Sequence, residues 1–423
     1  MKIRTRSALL STVALAAVAA TVSVPGTAQA EFGFTNTKAS VGSMQASVIS
    51  QMQGNAFGWQ LAIAQDGELK ITDKRGTAIS EADTGGNSVA MQPTMRMELA
   101  SVTKNITAVA TMKLLRRNNL TVESLVHPYL PASWDESKFK AVKFKHLLTH
   151  TSGINQAINA MPEGDRPPDN SWDSMQIVVE NGTTVNSQRQ YKNANFALLR
   201  VINAKLWDLS GGAKYVTYEE EIENSHGAVI ETKEITEKLP VTEANHTSYV
   251  LDYMRKYIFQ PAGLQNVSCI PSGTTTGVRS YPVNATQSSK GSVLGTNSGE
   301  CAGARGIALS AVELTQYLTA LRHGSIINPA DLATMDLLRA GWDEDSNGGD
   351  GGENGVQNGV PDNWRSPGAF WHGGDLLGTN ELHTCAMTFA DGTEATLLVN
   401  SELDAGANGP CGVLIRAWYG AKS

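Results

Sequence analysis

The sequence predicts a mixed α/β (α+β) fold: an antiparallel sheet flanked by helices, plus a mostly helical lobe. Three observations carry that expectation. Alternating apolar runs bounded by turn residues stand near both chain ends, at 57–71 and 369–400. Helix-period apolar stripes fill much of the chain between them. The 423 residues, 41% hydrophobic and 18% charged, are enough to bury a large core and to build more than one lobe.

Taken in order, the chain opens with Lys2, Arg4 and Arg6, followed by small and apolar residues from Ala8 to Val24. Ala28-Gln29-Ala30 then fits the A-x-A cleavage rule, so 1–30 reads as a secretory signal peptide and the mature chain is expected to begin near Glu31. The apolar run is short for a membrane span and is interrupted by Ser11, Thr12 and Thr21. Residues 31–50 read as a helix or coil. Phe57 to Gln65 reads as a strand, with Asp66-Gly67 turning into Glu68 to Ile71. A helix is expected from the Met97 region to Arg116-Arg117. Phe144 to Ile154 reads as a short helix stopped by Gly153, and Asn193 to Leu206 as a longer one. The glutamate- and threonine-rich stretch from Tyr218 to Glu243 suggests a surface hairpin. His246 to Phe259 is amphipathic, and 272–299 is a Gly/Ser/Thr/Asn-rich loop. A helix follows Cys301, then three strands (Ala369 to Gly374, His383 to Phe389, Ala395 to Asn400) and a closing helix from Gly412 to Tyr419.

Net charge is −7 with no long basic run, which argues against nucleic acid or an anionic membrane as the main partner. Cys269, Cys301, Cys385 and Cys411 are an even set in an exported chain, so they read as disulfides, and four cysteines allow three pairings. Cys269–Cys301 with Cys385–Cys411 is favoured, since each closes a loop of about thirty residues. No C-x-x-C spacing points to a metal instead.

The chemistry centres on Ser101-Val102-Thr103-Lys104. On a helix Ser101 and Lys104 share one side, and Val102, Ile106 and Val109 form the apolar stripe. A serine hydroxyl becomes a nucleophile when a base takes its proton, and a buried lysine near a helix N-terminus can be that base. The same N-terminus offers N–H groups for an oxyanion. The spacing alone is weak, since it recurs at Ser137–Lys140. Tyr191-Lys192-Asn193 then follows, directly before a helix, and His372-Gly373-Gly374 lies on an expected strand.

The order S-x-x-K, Y-x-N, H-x-G resembles the serine β-lactamase and penicillin-binding superfamily, in the branch of class C β-lactamases, D-alanyl-D-alanine carboxypeptidases, D-aminopeptidases and related carboxylesterases. Phe144 to Ile154, Phe259 to Leu264 and Cys301 to Gly306 are also similar to segments of that branch. The resemblance covers roughly 45–420. It implies a β-lactamase/transpeptidase-like fold whose sheet lobe takes 31–130 and 295–423 and whose helical lobe takes 131–294, with the site between them. It implies Ser101 as the acylated nucleophile, Lys104 as its base and Tyr191 as proton relay. Asn193 would hold Lys104 and a substrate carbonyl, and His372 would replace the family's lysine. The N–H groups of Ser101 and Asp375 would form the oxyanion hole, with Gly373 and Gly374 leaving room for substrate; no cofactor is needed.

Two departures bear on substrate. His372 is a titratable, weaker cation than lysine, and Asp375 stands where the family has Ser or Thr that helps bind a substrate carboxylate. Both favour a neutral ester or amide, or a substrate with a free amine, over a β-lactam or D-alanyl peptide. Arg365 is a candidate for restoring positive charge. The insert from Asp343 begins like a calcium loop, with Asp343, Asp345 and Asn347 as candidate ligands, but Asn354 stands at the twelfth position where a glutamate belongs. The expectation is therefore an exported serine hydrolase, periplasmic or extracellular, of esterase or D-amino-acid peptidase type. The alternatives are a D-alanyl-D-alanine carboxypeptidase or β-lactamase, or a catalytically silent peptidoglycan- or penicillin-binding protein.

Overall fold

The computed structural model describes residues 37–223, 229–269, 277–293, 300–324, 326–343, 369–403 and 409–422. The expected signal peptide lies outside these residues, as do Asp345, Asn347 and Arg365.

Among the described residues, six strands form one antiparallel sheet: β1 (Gly58–Gln65), β2 (Glu68–Ile79), β3 (Val89–Ala90), β4 (Phe370–Leu376), β5 (Leu382–Thr388) and β6 (Thr393–Val399). Their order is β4-β5-β6-β1-β2-β3, so both chain ends build the sheet and β4 is left as an edge. The β1–β2 hairpin turns at Asp66-Gly67, both with positive φ (57° and 82°), as a tight two-residue turn requires.

Strand β1 is buried on both faces, and its residue sizes explain how. Trp59, Leu61 and Ile63 point towards α1 (Val41–Met52) and the closing helix, where they join Met44, Val48, Leu397, Val413 and Trp418. Each fully buried aliphatic side chain of this kind contributes about 1.5–3 kcal/mol. Ala62 lies on the other face, and its small side chain lets helix Ala311–Arg322 come close enough for the Thr315 hydroxyl to bond the Ala62 carbonyl at 3.3 Å. Cys385 is bonded to Cys411, tying β5 to the closing helix Pro410–Gly420, and Cys269 is bonded to Cys301. With separations of 26 and 32 residues, each link removes loop entropy from the unfolded chain worth about 3–4 kcal/mol.

The serine-bearing segment is less regular than its sequence pattern. Met97–Glu98 pairs as a short strand with Ala308–Leu309, a 3-10 turn follows at Ala100–Val102, and only then does α2 (Thr103–Arg117) begin. Ala100 is held at φ 47°, a conformation that costs free energy in a residue with a Cβ. Helix α2 packs on α3 (Asn193–Trp207), where the Asn203 amide donates to Thr111 Oγ1 at 3.0 Å. The amphipathic helix from His246 is regular to Met254 and ends in a π turn, Arg255–Phe259. The charged insert is a hairpin of Lys214–Glu223 with Val229–Leu239. Helices Trp172–Asn181 and Pro329–Leu338 add to the elements read from sequence; each is short and N-capped, by Ser171 in one and by Asn328 with Pro329 in the other. Among the described residues, no helix is long and apolar enough to cross a membrane.

Candidate active site

Ser101 is partly exposed in a stretch whose neighbours are buried. Its position in the turn ahead of α2 leaves its N–H without an intrahelical acceptor. Lys104, one turn on, is fully buried, and its Nζ lies 2.8 Å from Ser101 Oγ and donates to the Ala304 carbonyl at 3.0 Å. Ala304 follows Cys301, so the Cys269–Cys301 link anchors the turn that holds the lysine. Burial pushes the Lys104 amine down to about 7; Asp343 opposes the shift, and Arg305 and Arg189 add to it. An amine in that range is substantially neutral at ordinary pH and has a lone pair to offer.

Tyr191 comes from the loop before α3, and its hydroxyl donates to Ser101 Oγ at 2.9 Å. Burial, with Asp343 adding, raises this phenol well above the ordinary tyrosine range, so it stays protonated and acts as a donor. The Tyr191 ring is held between two neighbours, with the Lys104 amine 4.9 Å from its centroid and the His150 ring at 4.6 Å. Buried His150 is kept well below the ordinary histidine range by desolvation, and its Nδ1 accepts from the Lys192 N–H at 3.3 Å. His146 does the same for the Lys143 N–H at 3.1 Å, so both histidines of that segment fix backbone turns.

Strand β4 supplies the opposite wall. The Gly373 N–H donates to Asp343 Oδ2 at 2.9 Å rather than to β5, so odd-numbered residues of this edge strand turn their N–H outwards. By that alternation the Asp375 N–H also faces the open edge. A Cβ on Gly374 would lie 2.4 Å from the Leu99 carbonyl, 2.3 Å from Thr384 Oγ1 and 3.1 Å from the Ser101 N, so glycine is what allows β4 to lie against the serine turn. Gly374→Ala is accordingly expected to cost about 1–3 kcal/mol in a denaturant melt. An unchanged midpoint would contradict this packing.

His372 is buried on the same face as Gly374. Its Nδ1 is 2.6 Å from the Gly373 carbonyl, which can only accept, so Nδ1 carries the proton and Nε2 is the free lone pair of the neutral ring. Burial lowers its pKa, against the pull of Asp343.

Asp343, read from sequence only as a calcium-ligand candidate, and Arg189, not read as a site residue at all, both stand in the site. Asp343 pairs with the edge of β4: its N–H donates to the Trp371 carbonyl at 2.8 Å, and its carboxylate takes the Gly373 N–H. Its other oxygen is 3.6 Å from Arg189 Nη2, and His372 Nδ1 is 3.5 Å from Oδ2. The Asp343 carboxylate thus faces a guanidinium and an N–H donor, while the other calcium candidates, Asp345 and Asn347, lie outside the described residues. Arg189, two residues before Tyr191, places inside the site the positive charge that sequence reasoning sought at Arg365. The only sequence signal for Arg189 was its nearness to Tyr191-Lys192-Asn193.

Two expectations differ in detail. Asn193 opens α3 as expected, but the Lys104 hydrogen bonds go to Ser101 and Ala304, and Asn193 Oδ1 is buried without a protein partner. Asp375 is not a bare charge, because its Oδ1 lies 2.6 Å from His383 Nδ1. The second S-x-x-K match lies in an irregular turn, where Ser137 is tied to Asp135.

Comparison with known proteins agrees with this architecture. Residues 44–212 match the Beta-lactamase family model. No curated protein matches the chain. The fold is similar to that of the D-amino acid amidase from Ochrobactrum anthropi SV3 complexed with L-phenylalanine amide, at TM-score 0.59 and 19% identity over 90% of this chain and 99% of that one. It is also similar to a β-lactamase/D-alanine carboxypeptidase from Pseudomonas syringae, at TM-score 0.59 and 16% identity over 90% and 97%. A third is the octameric penicillin-binding protein homologue from Pyrococcus abyssi, at TM-score 0.56 and 18% identity over 89% and 76%.

Proposed function

We propose, for a chain whose fold is that of the serine β-lactamase and penicillin-binding superfamily and whose residues 44–212 match its family model, that it is an exported serine hydrolase. It cleaves an ester or amide bond through an acyl-enzyme on Ser101. One observation carries the reading: the Ser101 hydroxyl lies 2.8 Å from a buried lysine amine and 2.9 Å from a tyrosine hydroxyl.

In the proposed mechanism Ser101 Oγ attacks the substrate carbonyl while its proton passes to neutral Lys104 Nζ. The negative oxygen of the tetrahedral intermediate sits between the N–H groups of Ser101 and Asp375. Tyr191 passes a proton to the departing alkoxide or amine and is replenished from Lys104. Water then attacks the acyl-enzyme, giving its proton back through Tyr191 and Lys104, and the acid is released as Ser101 regains its hydrogen. Buried Asn193 Oδ1, with no protein partner, suits a substrate N–H. Neutral esters and amides are favoured, since the Gly373 N–H on the substrate edge is already taken by Asp343. The signal peptide, the start near Glu31 and the two-lobe division complete the proposal as an exported, two-lobed enzyme.

The base sets a pH test. Lys104 must be neutral to accept a proton, so kcat/KM for a neutral p-nitrophenyl ester is expected to rise about tenfold per pH unit below about 7 and to level off above it. A profile that falls as pH rises through this range would contradict Lys104 as base.

A further inference from the structure

His383 stands on β5 directly across from Asp375 on β4. Its ring is nearly buried, with 9% of the side chain exposed. Nδ1 is hydrogen-bonded to Asp375 Oδ1 at 2.6 Å, whereas Nε2 lies 3.3 Å from Glu381 Oε2, at ion-pair distance but without hydrogen-bond geometry. An ionised carboxylate offers only acceptors, so Nδ1 carries a proton, and a second carboxylate oxygen close to Nε2 favours the imidazolium over the neutral ring. A neutral ring would set one lone pair against a carboxylate oxygen in a largely dry place.

Asp375 is the residue whose N–H faces the open edge of β4, two positions beyond the N–H that Asp343 occupies. Its side chain leaves β4 on the face opposite His372 and Gly374, yet left uncancelled its charge would still reach the site, where it already adds to the rise of the Tyr191 pKa. It would also repel any substrate that carries a carboxylate near the scissile bond.

We propose that His383 is a positioning and specificity-determining residue: as an imidazolium clamped between Asp375 and Glu381, it holds the Asp375 side chain along β5 and cancels its charge, so the site admits anionic substrates only while His383 is protonated. This rests on the hydrolase reading above. The groups acting on the ring are Asp375 from β4 and Glu381 from the turn before β5, and across from it on β6 stands apolar Val399. The two carboxylates raise the His383 pKa against the opposing effect of burial. Glu381 is itself fixed, its backbone N–H donating to the Tyr281 carbonyl at 3.1 Å and its Oε1 accepting from the Gly378 N–H at 3.3 Å.

The readout is the ratio of kcat/KM for a p-nitrophenyl ester bearing a carboxylate on its acyl chain to that for the neutral ester of the same length. In the wild type this ratio is expected to fall as pH rises through the His383 titration. His383→Gln, which keeps a donor but loses the charge, lowers the ratio at pH 7 by about tenfold, a typical effect of one uncompensated charge at a partly dry site. Adding Asp375→Asn to that variant restores the ratio, because no charge is left to cancel. A wild-type ratio that is flat with pH and unchanged by His383→Gln would overturn the proposal. Ring ¹⁵N resonances, assigned by their loss in His383→Gln, test the clamp without turnover. Both nitrogens are expected protonated at pH 7, with the titration moving to lower pH in Asp375→Asn. A neutral ring at pH 7 would overturn the proposal whether or not either ester is cleaved, whereas absent cleavage with a charged ring would count only against the hydrolase reading.

Discussion

Lys104→Met is expected to abolish turnover while making the protein harder to melt. The activity loss follows from geometry, since methionine fills the lysine's space but cannot take the Ser101 proton, and removal of a general base of this kind costs about 10²–10⁴-fold or more. The stability gain follows from linkage. The amine is at about 7 in the folded protein, against about 10.4 in an unfolded chain. Its folded pKa is depressed, so the native state is penalised in full below about pH 7 and the penalty fades as pH rises towards the ordinary lysine range. At neutral pH the penalty is about 4 kcal/mol. Against this stand two lost hydrogen bonds and an orphaned Ala304 carbonyl, together about 2–3 kcal/mol. Denaturant melts at several pH values should show the variant ahead by a margin that is largest in acid, vanishes at about pH 8–9 and reverses above it. A margin that grows with pH would contradict a buried, depressed amine.

Ser101→Ala is expected to reduce ester kcat/KM by about 10⁴-fold or more, because Lys104 and Tyr191 then have no oxygen to activate. The fold should be kept and the melting point should fall modestly, since the lost hydroxyl accepts from both Lys104 and Tyr191 and its removal costs about 1–3 kcal/mol. The comparison with Lys104→Met is informative. Both lose activity, but only the lysine variant gains stability, which separates the cost of keeping a base buried from the cost of keeping a nucleophile accessible.

What the sequence displayed and what it hid divide along physical lines. The β1–β2 hairpin, the three closing strands and α3 were legible because each carries its own period and turn residues, such as the Trp59, Leu61, Ile63 alternation ending at Asp66-Gly67. Ser101, Lys104, Tyr191 and His372 were legible as a set, and the fold does bring them to one place. Asp343, Arg189 and His383 were not. Each acts through a partner far away in the chain or across a strand, and nothing local marks a polar residue in a glycine-rich stretch as an edge-strand partner. Asp375 shows the limit clearly. Its identity suggested repulsion, but its consequence depends on a cross-strand register that no single residue encodes. The serine segment differed from a plain helix for a similar reason, since pairing of Met97–Glu98 with Ala308–Leu309 overrides the local helical pattern.

The central claim, an acyl-transfer nucleophile at Ser101, is most directly tested by intact mass after incubation with a fluorophosphonate. One adduct per chain is expected in the wild type, with fluoride lost and the phosphorus bonded to Ser101 Oγ, and none in Ser101→Ala. An unlabelled wild type, or an adduct that survives in Ser101→Ala, would contradict it.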